Sequence, residues 1–329
     1  MLNIAVIGAG RIGQIHARNI AAHPRANLAG IADPDAAAAA RLAAATGCEV
    51  IGLDAAFNAR AVLIASPTPT HADYIERAAA AGRAVFCEKP VDLSAVRVRA
   101  CLDAVRRAGT VLMVGFNRRF DPHFASLRAR LAAGEIGRLE LLTITSRDPS
   151  PPPPSYIAAS GGLFRDMMIH DLDMARHLLG EEPVEVYAAA SCLIDPAIGA
   201  AGDVDTAAVT LRTASGALCQ ISNSRRATYG YDQRIEAHGA LGLLRAGNVT
   251  STAVKSANAG GFTTDPALPF FLERYAHAYR AELDAFVAAV RSGGPCDPDG
   301  RDGLLALLLA DAATLSAQTG KPVALDGAA

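Results

Sequence analysis

The chain has 329 residues, the length of two medium domains or one large one. Hydrophobic residues make up 51% and charged residues 19%, so a sizeable core is available and composition gives no case for disorder. With 31 Lys and Arg against 33 Asp and Glu, the formal net charge of −2 argues against a general nucleic-acid binder or a polybasic membrane-surface protein. Within that basic count, only Lys89, Lys255 and Lys321 are lysines; the remainder are arginines.

The opening apolar run breaks at Gly8, too short for a signal-peptide core, and no stretch reaches the roughly 18 apolar residues of a membrane span. Cys48, Cys87, Cys101, Cys192, Cys219 and Cys296 are scattered, without a C-x-x-C pair or a Cys/His cluster at ligand spacing. They read as small buried hydrophobes of a reduced, cytoplasmic protein that carries no disulfide and no metal.

In chain order, Asn3–Ile7, Asn27–Ala32, Ala61–Ala65, Ala84–Cys87 and Val111–Val114 read as strands, with helices near 12–22, 35–46, 71–81 and 94–108. Short apolar strands separated by helices of this length predict βαβ units and a parallel sheet covered on both faces. After Phe120 the texture changes. A helix across Pro122–Ala133 is followed by longer alternating runs at Leu139–Arg147, Val184–Ile194, Thr206–Thr213, Ala217–Asn223 and Arg234–His238. Period-two alternation, with a hairpin turn at Ala214-Ser215-Gly216, predicts an antiparallel sheet with one open face. Pro149 and Pro151 to Pro154 read as a stiff extended loop, and helices near 274–291 and 300–317 close the chain. The expected architecture is an α/β Rossmann domain over residues 1–120, then an α+β domain over 121–329 with an open, mainly antiparallel sheet. The closing helices are free to pack back on the first domain.

Gly8-Ala9-Gly10-Arg11-Ile12-Gly13 matches G-x-G-x-x-G between a strand and a helix. These glycines allow a tight turn and a close backbone approach to a pyrophosphate, which then faces a helix N-terminus. A second strand ends at Asp33, twenty residues past Gly13, where an acid binds adenosine ribose hydroxyls and repels a 2′-phosphate. The expected cofactor is therefore NAD, with NADP disfavoured.

Cys87-Glu88-Lys89-Pro90 ends an apolar strand, and side chains at the carboxyl end of a parallel strand face the ligand crevice of an open α/β sheet. In a chain that uses arginine so heavily, a lysine here suggests a compact ammonium that donates to an oxygen rather than a simple positive charge. The competing reading is a solvated surface lysine. Further on, Phe164, Met168, Leu172, Ala175 and Leu179 form one apolar face of a helix, and Asp166 and His170 share a stripe opposite it. That stripe is either an ordinary solvated face or a cleft-facing pair in which the carboxylate orients the imidazole as a general base. Periodicity does not choose between them, and Asp173 and His177 fit the surface reading.

Together, GAGRIG with Asp33, the Glu88-Lys89-Pro90 segment, Gly115-Phe116-Asn117-Arg118-Arg119-Phe120-Asp121, and Asp166 with His170-Asp171 resemble the glucose–fructose oxidoreductase/inositol dehydrogenase family. The stretches Ser146-Arg147-Asp148-Pro149, 160–186 and 221–239 resemble its inositol-oxidising branch. The resemblance implies NAD-dependent oxidation of the axial hydroxyl of myo-inositol to 2-keto-myo-inositol. It implies a catalytic set of Lys89, Asp166 and His170, with Asn117, Arg118 and Tyr231 joining them in lining the polyol site. It also implies that Gly8, Gly10, Arg11, Ile12, Gly13, Asp33, Ser66, Thr68, His71, Glu88 and Lys89 serve the cofactor, and that the C-terminal sheet builds a homotetramer. Asn117 stands where other members carry Met, which bears on which cyclitol hydroxyl is read. Alternatives are a dehydrogenase of scyllo-inositol, glucose or another cyclitol or sugar, and a non-catalytic NAD or sugar sensor, against which the intact Lys89, Asp166 and His170 argue.

Overall fold

The computed structural model describes residues 1–325, which form two compact units. The first comprises Met1–Phe120 and Ala278–Leu307; the second comprises Asp121–His277 and the described residues from Leu308 to Leu325.

In the first unit, β1 (Leu2–Ile7), β2 (Ala26–Ala32), β3 (Ala61–Ile64), β4 (Ala84–Glu88) and β5 (Leu112–Gly115) form a five-stranded sheet. Its order is β2-β1-β3-β4-β5 and every pairing is parallel. Parallel neighbours need a crossover, and the helices Arg11–Ala21, Ala36–Thr46, His71–Ala80 and Ala95–Ala108 lie between successive strands. Their ends follow local chemistry. Asp35 caps the second helix by accepting from Ala37 and Ala38 N–H, and Gly47 and Gly109 end the second and fourth in the left-handed region. Ile4, Val6, Ile31, Leu63 and Phe86 of the strands pack with Ile20 and with Leu283, Phe286 and Val287 of the helix Ala276–Ser292. Phe86 and Phe286 meet edge to face at 5.7 Å.

The second unit is built on a seven-stranded sheet of order β11-β10-β6-β9-β8-β7-β14. Its strands are β6 (Leu139–Arg147), β7 (Pro183–Ser191), β8 (Thr206–Thr213), β9 (Leu218–Ser224), β10 (Asp232–Gly239), β11 (Gly242–Ala246) and β14 (Val323–Ala324). A separate hairpin joins β12 (Lys255–Asn258) to β13 (Gly261–Thr264). The sheet is mostly antiparallel, as the alternation predicts, but β6 and β9 run parallel. Along β8, Ala207, Val209 and Leu211 are buried while Ala208 and Arg212 are exposed, so one face is covered and the other open. The expected hairpin stands at Gly216, whose φ of 91° suits glycine, and Thr213 N–H donates to Ala217 O.

Three expectations change. The proline run is not extended throughout: a helix, Pro154–Ser160, begins within it, since proline is well accommodated in a first helical turn. The helix carrying Asp166 and His170 passes through a π-helical turn, Phe164–Met168, before its long α-helical stretch, Ile169–Leu179. A π turn sets each hydrogen bond one residue further along, so the i, i+4 stripe does not run straight through it. That helix also lacks a single apolar face. Asp171, Asp173 and Arg176 are buried with its hydrophobic residues, which corrects the placement of Asp173 at the surface.

Phe286 fills a site with no exposed surface. Phe286→Ala should lower the unfolding free energy by about 3–5 kcal/mol in a urea titration, because the parallel sheet loses a ring that nothing nearby replaces.

Candidate functional site

In the first unit the glycine-rich turn joins β1 to the helix Arg11–Ala21. Gly8 has φ of 108°, and a Cβ there would come within 2.5 Å of Ala65 O. A Cβ on Gly13 would lie 1.9 Å from Gly8 O, so only glycine lets the helix start this close to the strand. A Cβ on Gly10 would meet nothing within 4 Å, so the turn presents open space at its tip. No side chain caps this helix and no acid lies in its first turn, which suits an anion at its N-terminus. Gly8, Gly10, Ile12 and Gly13 thus shape a cradle that fits a pyrophosphate, with Arg11 exposed at its edge.

Asp33 belongs to the same construction. Its Oδ2 accepts from Ala9 N–H at 2.6 Å and its Oδ1 from Asp35 N–H at 2.8 Å, so the carboxylate is fixed against the turn. Ser66 and Thr70 share a hydroxyl hydrogen bond at 2.6 Å, and Thr68 opens the short 3-10 turn beside them. His71 is buried and clasps two main-chain carbonyls, Ser66 O at 2.7 Å from Nε2 and Pro90 O at 2.8 Å from Nδ1. Burial pushes its imidazole below the ordinary range, against the two carbonyls, which favour the protonated ring. What His71 does in the structure is tie the loop after β3 to the residue following Lys89.

Lys89 is half-buried at the end of β4 and precedes Pro90 through a cis peptide. The Oε1 of Glu88 lies 2.7 Å from Nε2 of His16, a buried residue on the second turn of the helix Arg11–Ala21. Asn117 and Arg118 are buried in the 3-10 turn that follows β5. Arg119 beside them pairs with Asp297 at 2.7 Å and Asp302 at 2.9 Å.

In the second unit, Asp166 lies in the π turn and His170 at the start of the α-helix, both half-buried. The Tyr156 hydroxyl donates to Asp166 Oδ1 at 3.0 Å. Arg225, almost wholly buried, sets Nη1 3.7 Å from Asp166 Oδ2 and Nη2 3.7 Å from Asp203 Oδ2. Asp203 in turn accepts from Leu163 N–H at 2.9 Å. The Asp166 carboxylate is therefore held in place by a phenol that donates to it and by the guanidinium of a buried arginine. Asp166 is thus not a freely solvated carboxylate. Tyr231 is buried, edge to face with Phe270 and Tyr275.

Sequence reasoning did not single out His16, Tyr156, Arg225 or Glu282. Arg225 lies inside the 221–239 stretch, but a lone arginine among 28 carries no signal until the fold places it beside Asp166.

Comparisons with known proteins agree with this architecture. Residues 2–116 match the oxidoreductase family with NAD-binding Rossmann fold, and residues 124–245 match the GFO/IDH/MocA C-terminal domain. The chain belongs to the GFO/IDH/MocA family of NAD-binding oxidoreductases. It is 55% identical over 318 residues to the inositol 2-dehydrogenase of Rhizobium meliloti, covering 96% of each chain. The crystal structure of a myo-inositol dehydrogenase from Corynebacterium glutamicum has 49% identity and a TM-score of 0.95 over 100% of both chains. A scyllo-inositol dehydrogenase from Lactobacillus casei, solved with NAD(H) and scyllo-inositol, has 30% identity and a TM-score of 0.92 over 98% of this chain and 99% of its own. No helix among the described residues is long and apolar enough to cross a membrane.

Two outcomes are expected of the first unit. Asp33→Ala should weaken NAD binding in calorimetry by about 1.5–3 kcal/mol, roughly ten- to hundredfold, and shift preference toward NADP, because charged hydrogen bonds are lost and the 2′-phosphate is no longer repelled. The second concerns Glu282, fully buried, whose carboxyl is raised well above its ordinary 4.5 by desolvation and then by the charge of Glu88. Its contribution to stability is complete below the unfolded value and is lost as pH rises from there through the raised folded value. Thermal melts of Glu282→Gln should therefore lose less stability between pH 5 and pH 8 than those of the natural chain.

Proposed function

We propose that the protein oxidises myo-inositol to 2-keto-myo-inositol with NAD. The observation that carries this reading is the end-to-end 55% identity to an inositol 2-dehydrogenase. The residues present fit it, since the glycine turn with Asp33 suits a dinucleotide and Asn117, Arg118, Asp166, His170 and Tyr231 offer the hydrogen bonds an uncharged polyol needs.

NAD, when bound, supplies the acceptor for a hydride from the carbon that bears the reacting hydroxyl. Gly8, Gly10, Arg11, Ile12, Gly13 and Asp33 hold it, together with the loop of Ser66 and Thr68 that His71 braces from behind and the Glu88-Lys89 segment. His170 removes the hydroxyl proton through its imidazole. Asp166, fixed by Tyr156 and Arg225, orients the ring and offsets the imidazolium charge. The Lys89 ammonium donates to the same substrate oxygen and stabilises the negative charge that develops on it. Asn117, Arg118 and Tyr231 read the remaining hydroxyls. The open face of the second sheet serves assembly of a homotetramer, and the enzyme works in the cytoplasm.

The likeness to a scyllo-inositol dehydrogenase keeps the equatorial epimer as a second substrate to compare. Absorbance at 340 nm with NAD and a panel of polyols tests the reading: growth with myo-inositol is expected, and growth with scyllo-inositol or glucose alone overturns the substrate. His170→Ala should lower turnover by about 10²–10⁴-fold while NAD binding stays intact. Near-normal turnover in that variant would remove His170 from the mechanism.

A further inference from the structure

One residue before Lys89, Glu88 meets two buried side chains of the first unit, His16 and Glu282, that the proposed reaction does not use. His16 is fully buried, with Nε2 2.7 Å from Glu88 Oε1 and 3.9 Å from Glu282 Oε1. The rings of Phe86 and Tyr279 meet the imidazole edge-on at 5.1 and 5.6 Å. The Glu88 carboxylate occupies space that Gly115 on the neighbouring strand leaves free, since a Cβ there would stand 2.9 Å from Oε2. Neither carboxyl oxygen of Glu282 has a hydrogen-bond partner, nor does His16 Nδ1.

Two carboxyls and an imidazole, with one ligand atom from each lying within 4.8 Å of the others, have the composition of a metal site. The geometry is not that of one. Ligand atoms around a tetrahedral ion with bonds of 2.0–2.1 Å stand about 3.3 Å apart. The His16–Glu88 separation of 2.7 Å is that of a hydrogen bond, in which Nε2 donates to a carboxylate. Desolvation and the charge of Glu88 also push the Glu282 carboxyl upward, against the deprotonated form that a metal ligand must take. The imidazole is therefore confined by two aromatic rings and the Glu282 carboxyl, and Glu88 is its one hydrogen-bond partner within the cluster.

We infer that His16 is a positioning residue for Lys89: by fixing the Glu88 carboxylate against Gly115 it sets the main chain from which Lys89 projects. Because His16 lies on the helix that begins at the glycine turn, the same contact ties the cofactor-binding helix to the strand end bearing Lys89. The inference rests on the reading of Lys89 as a catalytic group, but its first measurement does not use turnover. The chain has three lysines, so acetylation of Lys89 by an N-hydroxysuccinimide ester can be followed by peptide mass spectrometry against the exposed Lys255 and Lys321.

His16→Phe keeps a ring against Phe86 and Tyr279 but removes the donor; His16→Leu replaces it should the larger ring prevent folding. His16→Gln returns an amide donor near the position of Nε2. In the donor-less variant, acetylation of Lys89 relative to the other two lysines should rise severalfold. Its kcat for polyol oxidation should fall about ten- to hundredfold, as for a displaced reacting group, with a clearly smaller loss of calorimetric NAD affinity. The glutamine variant should recover most of both. Unchanged relative acetylation in the donor-less variant overturns the inference, as does equal damage in the phenylalanine and glutamine variants, which would mark His16 as packing alone. One equivalent of a transition metal in the purified natural chain, lost with His16, would also overturn it. Absence of polyol oxidation by the natural chain would instead sink the functional reading, and the acetylation ratio would still decide the role of His16.

Discussion

The close approach of the helix Arg11–Ala21 to β1 is the constraint from which the first unit is arranged. With Gly8 O standing where a Cβ of residue 13 would be, the helix begins almost on top of the strand it follows. That closeness aims the helix N-terminus at the glycine turn and leaves Ala9 N–H in reach of Asp33. It also brings the second turn of the helix down to the end of β4, where His16 meets Glu88. One missing methyl group thus links the glycine turn, Asp33 and the residue before Lys89.

The second unit solves a different problem, that of holding charged groups inside apolar surroundings. A buried ion is costly unless it is paired and hydrogen-bonded. The helix Ile169–Leu179 meets this at each position. Asp171 accepts from Asn223 at 2.9 Å, and Arg176 reaches both Asp173 and Glu182. Arg225 meets only half of that rule, paired with Asp166 and Asp203 at 3.7 Å while its Nε and Nη2 make no hydrogen bond, and its partner Asp166 is also the carboxylate assigned to orient His170. Structural and chemical requirements coincide there, because a charge that must be paired to be buried is also a charge held in one place.

Much of this was legible in the sequence, for identifiable reasons. The five parallel strands follow from apolar runs that are short, continuous and separated by helices, and the second sheet from strict alternation. The glycine turn and Asp33 were legible because backbone geometry dictates their spacing. Other features left no periodic trace. The hairpin of β12 and β13 is exposed along its length, so no buried face writes a pattern into it. The parallel contact of β6 with β9 depends on sheet order, which alternation does not encode. His16, Arg225 and Glu282 act through partners 72, 59 and 266 residues away, distances at which a single sequence gives no signal. The stripe through Asp166 and His170 was misdrawn for a local reason, since a 3.6-residue period presumes a regular helix.

That irregular turn has a consequence for how such a site tolerates length change. A π turn over Phe164–Met168 accommodates one residue more than an α-helix of the same span. Deleting a single residue within it would let the segment relax into a regular helix without breaking the chain. A deletion between Asp166 and His170 removes one residue, about 100° of α-helical turn, from the spacing that separates them, so the two side chains would no longer stand as they do now relative to each other. The helix would survive and the pair would not, which makes this short segment intolerant of deletion even though its backbone has an easy structure to fall back on.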